Sequence, residues 1–558
     1  MGAALRAKAR AWLEQDPDPT TREELRSVID ASESGSAEAD AALAAAFAGP
    51  LEFGTAGLRG PIGVGESAMN QAVVMRATAG LMDWLGAQVA RPRVVIGCDA
   101  RHGSAKFAEA AARVVAGAGG QALVLPHAQP TPLTAFSVRE LGADAGVMIT
   151  ASHNPKWDNG FKVYLGGRLA TGDAAGVQIV PPADAEIAAR IAAAPGADEL
   201  PLSDDIERVD TRDAYCAAAR RLGSPATDVR IVLTPMHGVG GELALRTLEE
   251  AGFGSVVGVE KQWAPDPEFP TVAFPNPEEH GALDLAVEKA TEVGAELIIA
   301  LDPDADRCAL AVPARDTPSA GTPIGGGWVA LSGDETGALL GEYLARRADG
   351  GTTASSIVSG RLLERIAQAH GLNHATTLTG FKWIGRTPEL VYGYEEAIGH
   401  CADPAHVRDK DGMTAAVVAA SAVAELKAAG LGVLDLFDRQ AARYGLYRTQ
   451  PLTFRVDDLK VISAAMERLR ASAPSQLAGS RVIDYVDLSG GYGQTPGTNG
   501  ILLRTERDER VIIRPSGTEP KLKCYLEVVL EPAETPDWDT ARSRLEELSA
   551  ATRELCGL

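Results

Sequence analysis

A unit of short apolar strand, polar loop, alanine-rich helix and second short strand recurs three times along this chain. The copies are VVIGCDARHGSAKFAEAAARVVAGAGGQALVL from Val94, IVLTPMHGVGGELALRTLEEAGFGSVVGV from Ile231 and SSIVSGRLLERIAQAHGLNHATTL from Ser355. Their strand runs do not alternate polar with apolar, as expected of parallel strands buried on both faces. The starts lie about 130 residues apart, a domain-sized interval and not a solenoid repeat. Each copy is followed by a further apolar segment that ends in a polar loop. These are GVMI before TASHNP (150–155), LIIAL before DPDADR (302–307) and LVYG before YEEAIG (394–399). Ligands of open α/β sheets sit at the carboxyl ends of strands. Three such loops therefore predict three tandem α/β domains around one central cleft.

The remaining segments read differently. Residues 1–45 are rich in Ala, Glu and Arg and predict a helical arm, broken at Asp16-Pro-Asp-Pro19. From 444 onward, TFRVDD and RVIIRPSGTEPKLKCYLEVVLE alternate more and precede a final helix, which predicts a fourth, α+β domain. The expected boundaries are 46–208, 209–322, 323–443 and 444–558, with the Gly-rich stretch Ser489–Gly500 a flexible loop.

Net charge is −22, from 53 basic and 75 acidic residues. That disfavours nucleic acid and anionic membranes as partners, and it requires any anionic substrate to be held by a local basic site. The six cysteines (98, 216, 308, 401, 524, 556) form no C-x-x-C and read as reduced thiols of a cytoplasmic protein. No apolar leader or membrane-length run is expected. The sequence leaves monomer and homodimer equally open.

The loops carry the chemistry. In TASHNP, Ser152 stands just past a buried strand with His153 and Asn154 beside it, and Pro155 stops the strand. A serine so placed can act as a nucleophile or carry a phosphoryl group. In DPDADR, Asp302, Asp304 and Asp306 repel one another unless a hard divalent cation resolves the repulsion, and carboxylate oxygens suit Mg²⁺. An EF-hand is excluded, because Arg307 and Pro313 stand where it needs Gly and Glu. RPSGTEPK (514–521) has the composition of an anion nest: Gly517 permits a tight loop, and Arg514, Ser516, Thr518 and Lys521 add donors. GTAGLRG (54–60) offers Arg59, TGFKWIG (379–385) offers Thr379 and Lys382, and RDKDG (408–412) offers Lys410 before a helix that Asp411 can cap. Glu395 and Glu396 can accept hydrogen bonds from sugar hydroxyls. Lys162, on the apolar segment after DNGF, can shuttle a proton only if its pKa is pulled well below about 10.4.

TASHNP, NGFK, DPDADR, EEAIG and RPSGTEPK, in that order, resemble the α-D-phosphohexomutases, the phosphoglucomutases and phosphomannomutases. The likeness runs from about residue 45 to the end. GTAGLRG, TGFKWIG and EEAIG point to the phosphoglucomutase-2-like branch. The resemblance implies that Ser152 is the phosphoserine and that Mg²⁺ is held by Asp302, Asp304, Asp306 and the serine phosphate. It places Arg59, His153, Lys162 and Arg307 around the transferring group, with Lys162 as acid/base. It assigns Thr379, Gly380, Lys382, Glu395, Glu396 and Lys410 to the sugar, and Arg514, Ser516, Gly517 and Thr518 to the non-reacting phosphate. The implied activity interconverts hexose 1-phosphate and hexose 6-phosphate, of glucose or mannose, with a glucose 1,6-bisphosphate-type sugar bisphosphate as activator. One departure keeps pentose phosphates open: Ala397 stands where hexose-specific relatives often carry a serine.

Other readings fare worse. LIIAL-Asp302-Pro-Asp304 resembles the nucleophile strand of haloacid-dehalogenase-type phosphotransferases, but their Thr or Val two residues further on is Asp306 here. HGVGGEL (237–243) approaches a dinucleotide fingerprint, but Leu243 takes the third glycine's place. No G-x-S-x-G and no Walker A sequence is present.

Overall fold

The computed structural model describes residues 2–54, 57–456, 458–516 and 521–557. The chain forms two compact units, Met1–Ala309 with Asp403–Ala420, and Leu310–Ala402 with Ser421–Leu558.

The first unit opens with helices Gly2–Gln15, Pro19–Glu33 and Ala37–Ala46. The expected break is an N-cap: Asp18 accepts from Thr20 N, and Pro19 takes the first helical position, where its missing N–H goes unneeded. Trp12, Leu25, Ile29, Leu43 and Phe47 pack this arm against Met75 and Val114.

Beyond the arm lies a mixed sheet centred on strand Arg93–Cys98. It pairs in parallel with Gln121–Val124 on one side and Ala145–Ile149 on the other. Ala145–Ile149 then pairs antiparallel with Asp158–Leu165, which pairs with Leu58–Pro61. Helix Ser104–Gly117 lays Phe107, Ala108, Ala111, Ala112 and Val115 on the sheet. Its alanines permit close approach, and each large aliphatic chain buried here contributes about 1.5–3 kcal/mol.

The same order recurs in the next copy. Ile231–Thr234 lies between Val256–Gly258 and Leu297–Leu301, both parallel to it. It recurs again in the second unit, where Thr352–Ser356 lies between Asn373–Thr377 and Leu390–Glu395, both parallel. In all three copies the third strand ends in the polar loop that the sequence singles out.

The second unit also holds a sheet of antiparallel strands. Leu446–Arg455 pairs with Lys521–Leu530, which pairs with Arg510–Pro515 and onward to Ile501–Thr505 and Ser480–Asp487. Helices Leu459–Ala471 and Trp538–Cys556 cover it, with Met466, Leu469, Leu545 and Leu548 in its core. The stretch Ser489–Gly500 is a compact turn with a bridge between Tyr492 and Thr495. Among the described residues no single helix is long and apolar enough to cross a membrane.

Candidate active site

Ser152 has φ +52°, a left-handed conformation that non-glycine residues seldom adopt. It is buried, and its Oγ donates to Asp302 Oδ2 at 2.7 Å and lies 3.1 Å from His153 Nδ1. The strand ends at Ile149 and Asp302 follows Leu301, so two parallel strands deliver these groups from separate sheets.

Asp302, Asp304 and Asp306 are buried, with one carboxylate oxygen from each lying within 4.8 Å of the others. Lys162 Nζ stands 2.8 Å from Asp304 Oδ2 and 3.0 Å from Asp306 Oδ2, and Lys410 Nζ stands 3.2 Å from Asp306 Oδ2. Thr131 Oγ1 donates to Asp304 Oδ2 at 2.6 Å. Asp304 Oδ1 and Asp306 Oδ1 are buried without a hydrogen-bond partner. Two orphaned buried carboxylate oxygens in a triad of hard donors fit a divalent cation of the Mg²⁺ kind.

The carboxylate loop is braced from two sides. A Cβ on Gly238 would meet Pro303 Cα at 2.4 Å, and Val239 N donates to Pro303 O at 2.9 Å. This explains Gly238 of HGVGGEL as backbone packing. A Cβ on Gly412 would meet Arg307 O at 2.4 Å. Asp411 caps the helix Gly412–Ala428 by accepting from Met413 N and Thr414 N, both at 3.1 Å, as the sequence predicts.

Protonation follows from burial and neighbours. Burial, with Asp304 and Asp306 beside it, pushes the Asp302 carboxyl well above its usual range. Burial also raises Asp304 and Asp306, but Lys162 outweighs it at Asp304, as Lys162, Lys410 and Arg307 together do at Asp306, and both end below their usual value. His153 is held well below its ordinary value by burial and by Arg307 and Arg59, so its ring is neutral. Burial alone would depress Lys162, but Asp304 and Asp306 more than offset it and leave the pKa raised. That is the opposite of the direction a general base needs, so with this set of partners Lys162 is an ammonium.

Arg59 Nη1 donates to Asn154 Oδ1 at 3.1 Å, and Arg307 N donates to Asp302 Oδ1 at 3.0 Å. The structure therefore brings Arg59, Ser152, His153, Lys162, Asp302, Asp304, Asp306, Arg307 and Lys410 together in the first unit. Lys410, which the family resemblance assigns to the sugar, has its ammonium at the carboxylates, because Asp403–Ala420 rejoins the first unit.

The other set belongs to the second unit. Arg514 Nη1 donates to Thr379 Oγ1 at 2.5 Å, and Gly380 N donates to Glu395 Oε1 at 2.6 Å. Lys382 lies on the short helix Phe381–Ile384 beside them. Glu396 turns the other way: its Oε2 accepts from Ser356 Oγ and Ser359 Oγ, each at 3.1 Å. Burial, then Glu395 and Asp334, push the Glu396 carboxyl up to about 7. Ser516 N donates to Lys521 O at 2.8 Å and closes its loop. Gly517 and Thr518 lie outside the described residues.

Two groups escaped the sequence reading. Thr131 opens the helix Thr131–Glu140, and nothing in QPTP marks it as a partner of Asp304. Arg101 follows strand Arg93–Cys98 by three residues and is buried beneath the serine loop. Its place at a parallel strand's carboxyl end was the available signal.

Four family models match the chain in sequence. Three are described as phosphoglucomutase/phosphomannomutase alpha/beta/alpha domains I, II and III, over residues 50–195, 213–315 and 332–440. The fourth, the C-terminal domain of the same family, matches 454–541. The chain belongs to the phosphoglucomutase/phosphomannomutase family.

A probable phosphomannomutase of Haemophilus influenzae is 44% identical over 467 residues, covering 82% of this chain and 93% of its own length. A probable phosphoribomutase of Schizosaccharomyces pombe is 34% identical over 580 residues, 94% of each chain. The solved structure of a putative phosphomannomutase from Thermus thermophilus shares the fold, with TM-score 0.70 and 24% identity over 91% of this chain and 100% of that one. The four tandem phosphoglucomutase/phosphomannomutase domains make this chain a phosphosugar mutase, an isomerising phosphotransferase.

Proposed function

We propose that this mutase interconverts hexose 1-phosphate and hexose 6-phosphate, of glucose or mannose, through a phosphoserine at Ser152 and a sugar bisphosphate intermediate. The observation that carries the proposal is Ser152 Oγ, buried on a left-handed turn and 2.7 Å from Asp302 Oδ2 in a triad with orphaned oxygens.

Asp302, Asp304 and Asp306 would hold Mg²⁺. When bound, the cation neutralises charge on phosphoryl oxygens and lowers the barrier to their transfer. The rest is done by this chain's own groups. Transfer breaks the Ser152 Oγ–P bond and forms a bond from phosphorus to the free sugar hydroxyl. The serine oxygen gains a proton and the hydroxyl loses one. His153 Nδ1, 3.1 Å from Oγ, orients the serine oxygen with a neutral ring. Arg59 and Arg307 stabilise the spread negative charge. Lys162 enters the step as an ammonium; it passes its proton to the departing Ser152 Oγ and takes the hydroxyl proton in its place, so it ends as it began.

A bisphosphate presents a second phosphate, which requires a second anion site. Arg514 and Ser516, with Gly517 and Thr518, supply it, while Thr379, Gly380, Lys382 and Glu395 receive the sugar. A glucose 1,6-bisphosphate-type compound primes the serine.

A second reading takes pentose 1- and 5-phosphates as substrates. Ala397 favours it, because the position offers no side-chain hydroxyl to a hexose. The 94% coverage by a relative named probable phosphoribomutase also favours it.

One assay tests both. Glucose, mannose, ribose and deoxyribose 1-phosphates are offered with Mg²⁺ and bisphosphate to wild type and Ser152→Ala. Higher kcat/KM on a hexose supports the first reading, and higher kcat/KM on a pentose supports the second. Full turnover by Ser152→Ala on any substrate would remove the phosphoserine.

A further inference from the structure

Arg101 makes every one of its side-chain hydrogen bonds to the main chain of the serine loop. Its Nε and Nη2 donate to Ser152 O at 3.2 and 2.6 Å, and Nη2 also donates to Asn154 O at 2.6 Å. Its Nη1 donates to Pro155 O at 2.8 Å and Asp158 O at 3.2 Å. Four backbone carbonyls thus converge on one buried guanidinium. Without it each would lose a donor, and although Pro155 O would keep Asp158 N at 2.9 Å, buried carbonyls tolerate such losses poorly.

The guanidinium is itself held. Asp99 Oδ2 lies 3.7 Å from Arg101 Nε, and this oxygen has no hydrogen-bond partner. Asp99 Oδ1 accepts from Arg101 N at 3.0 Å and from Ser104 Oγ at 2.6 Å. The Phe269 ring, 5.2 Å from Arg101 Cζ, covers the guanidinium. Both Asp99 and Arg101 are buried. The Ser152 carbonyl, gripped twice, belongs to the residue whose φ is +52°.

We propose that Arg101, carried by Asp99, is the positioning residue that holds Ser152 in its left-handed conformation and so aims Oγ at the carboxylate triad. It acts through four carbonyls and touches no reacting atom. A planar fork of donors suits this task, and a lysine's point charge does not. The inference rests on Ser152 being the group that carries the phosphoryl.

Arg101→Lys and Arg101→Ala are assayed beside wild type for kcat and KM with hexose and pentose 1-phosphates, and for melting temperature. A misaimed Oγ slows transfer without weakening the sugar's grip, so kcat should fall about 10- to 100-fold in Arg101→Lys while KM stays within about twofold. Guanidinium at millimolar concentration should restore part of the kcat of Arg101→Ala, and sodium should not. The inference is overturned if folded variants keep kcat within about twofold of wild type, if KM rises while kcat holds, or if guanidinium restores nothing. Loss of the folded state in both variants would also overturn it, making Arg101 a residue of the fold and not of the serine. A wild type that turns over no sugar phosphate would instead sink the mutase reading, and this inference with it.

Discussion

Lys162→Met removes one charge and keeps most of the apolar stem. In the intact protein the Lys162 ammonium lies 2.8 Å from Asp304 Oδ2 and 3.0 Å from Asp306 Oδ2, all three side chains being buried. Removing one partner of a buried pair costs about 3–5 kcal/mol, because the carboxylates left behind are uncompensated. Lys410 remains 3.2 Å from Asp306, which sets the loss at the low end, about 3 kcal/mol. At about 2.1 cal/mol/K of unfolding entropy per residue, a unit of this size shifts by about 1.5 °C per kcal/mol, so the first unit's transition should drop by roughly 4–5 °C in a calorimetric scan with chelator. A divalent cation replaces the missing charge and binds the more negative site more tightly. Its stabilisation grows as RT ln(1 + [L]/Kd), about 2.7 kcal/mol at a hundred times Kd. The Mg²⁺-dependent rise in melting temperature should therefore be larger in the variant than in wild type. Turnover should fall about 10²- to 10⁴-fold, the range of a positioned proton-transfer group. The charge argument is refuted if the chelated variant melts within about 2 °C of wild type, or if Mg²⁺ raises both by the same amount. Turnover within tenfold of wild type would take Lys162 out of the chemistry.

Three further outcomes are expected. The Glu396 carboxyl keeps its proton up to about 7 in the fold and releases it near 4.5 when unfolded, so the native state binds more protons between those values and stability falls as pH rises through them. Glu396→Gln should flatten that slope and melt higher than wild type at alkaline pH; parallel stability curves would contradict the assignment. Gly238→Ala places a Cβ 2.4 Å from Pro303 Cα, a clash worth about 1–3 kcal/mol. It should weaken Mg²⁺ binding in a calorimetric titration, and unchanged affinity would show that the carboxylate loop is not braced from there. Ala397→Ser adds a hydroxyl worth about 0.5–1.5 kcal/mol, so kcat/KM for hexose over pentose phosphate should rise about 2- to 12-fold; no change in the ratio would place the sugar's selectivity elsewhere.

The α/β layering was legible because parallel strands buried on both faces leave unbroken apolar runs, such as Val94–Ile96 and Leu297–Leu301, with Ala-rich helices between them. The carboxylates and the serine were legible for a related reason: each polar loop follows such a run. What stayed hidden depends on where the chain returns. Lys410 reads as part of the third copy, yet Asp403–Ala420 packs with the first unit and puts it at Asp306. Glu395 and Glu396 are indistinguishable as letters, and only the fold turns one toward Gly380 and the other toward Ser356 and Ser359. Arg101 was hidden because its partners are carbonyls about fifty residues away, and carbonyls leave no mark in a sequence.

The repeated strand order ties two of the three polar loops to each other. Each copy ends its third parallel strand in one loop, and each loop carries one kind of chemistry: the serine after Ile149, the carboxylates after Leu301, the acceptor glutamates at the end of Leu390–Glu395. The first two are tied to each other by Ser152 and Asp302, by Thr131 and Asp304, and by Lys162 and its two carboxylates. A change in either would misplace the other. In the loop Glu395–Gly399, Glu395 Oε1 accepts from Gly380 N, and Glu396 Oε2 accepts from Ser356 Oγ and Ser359 Oγ.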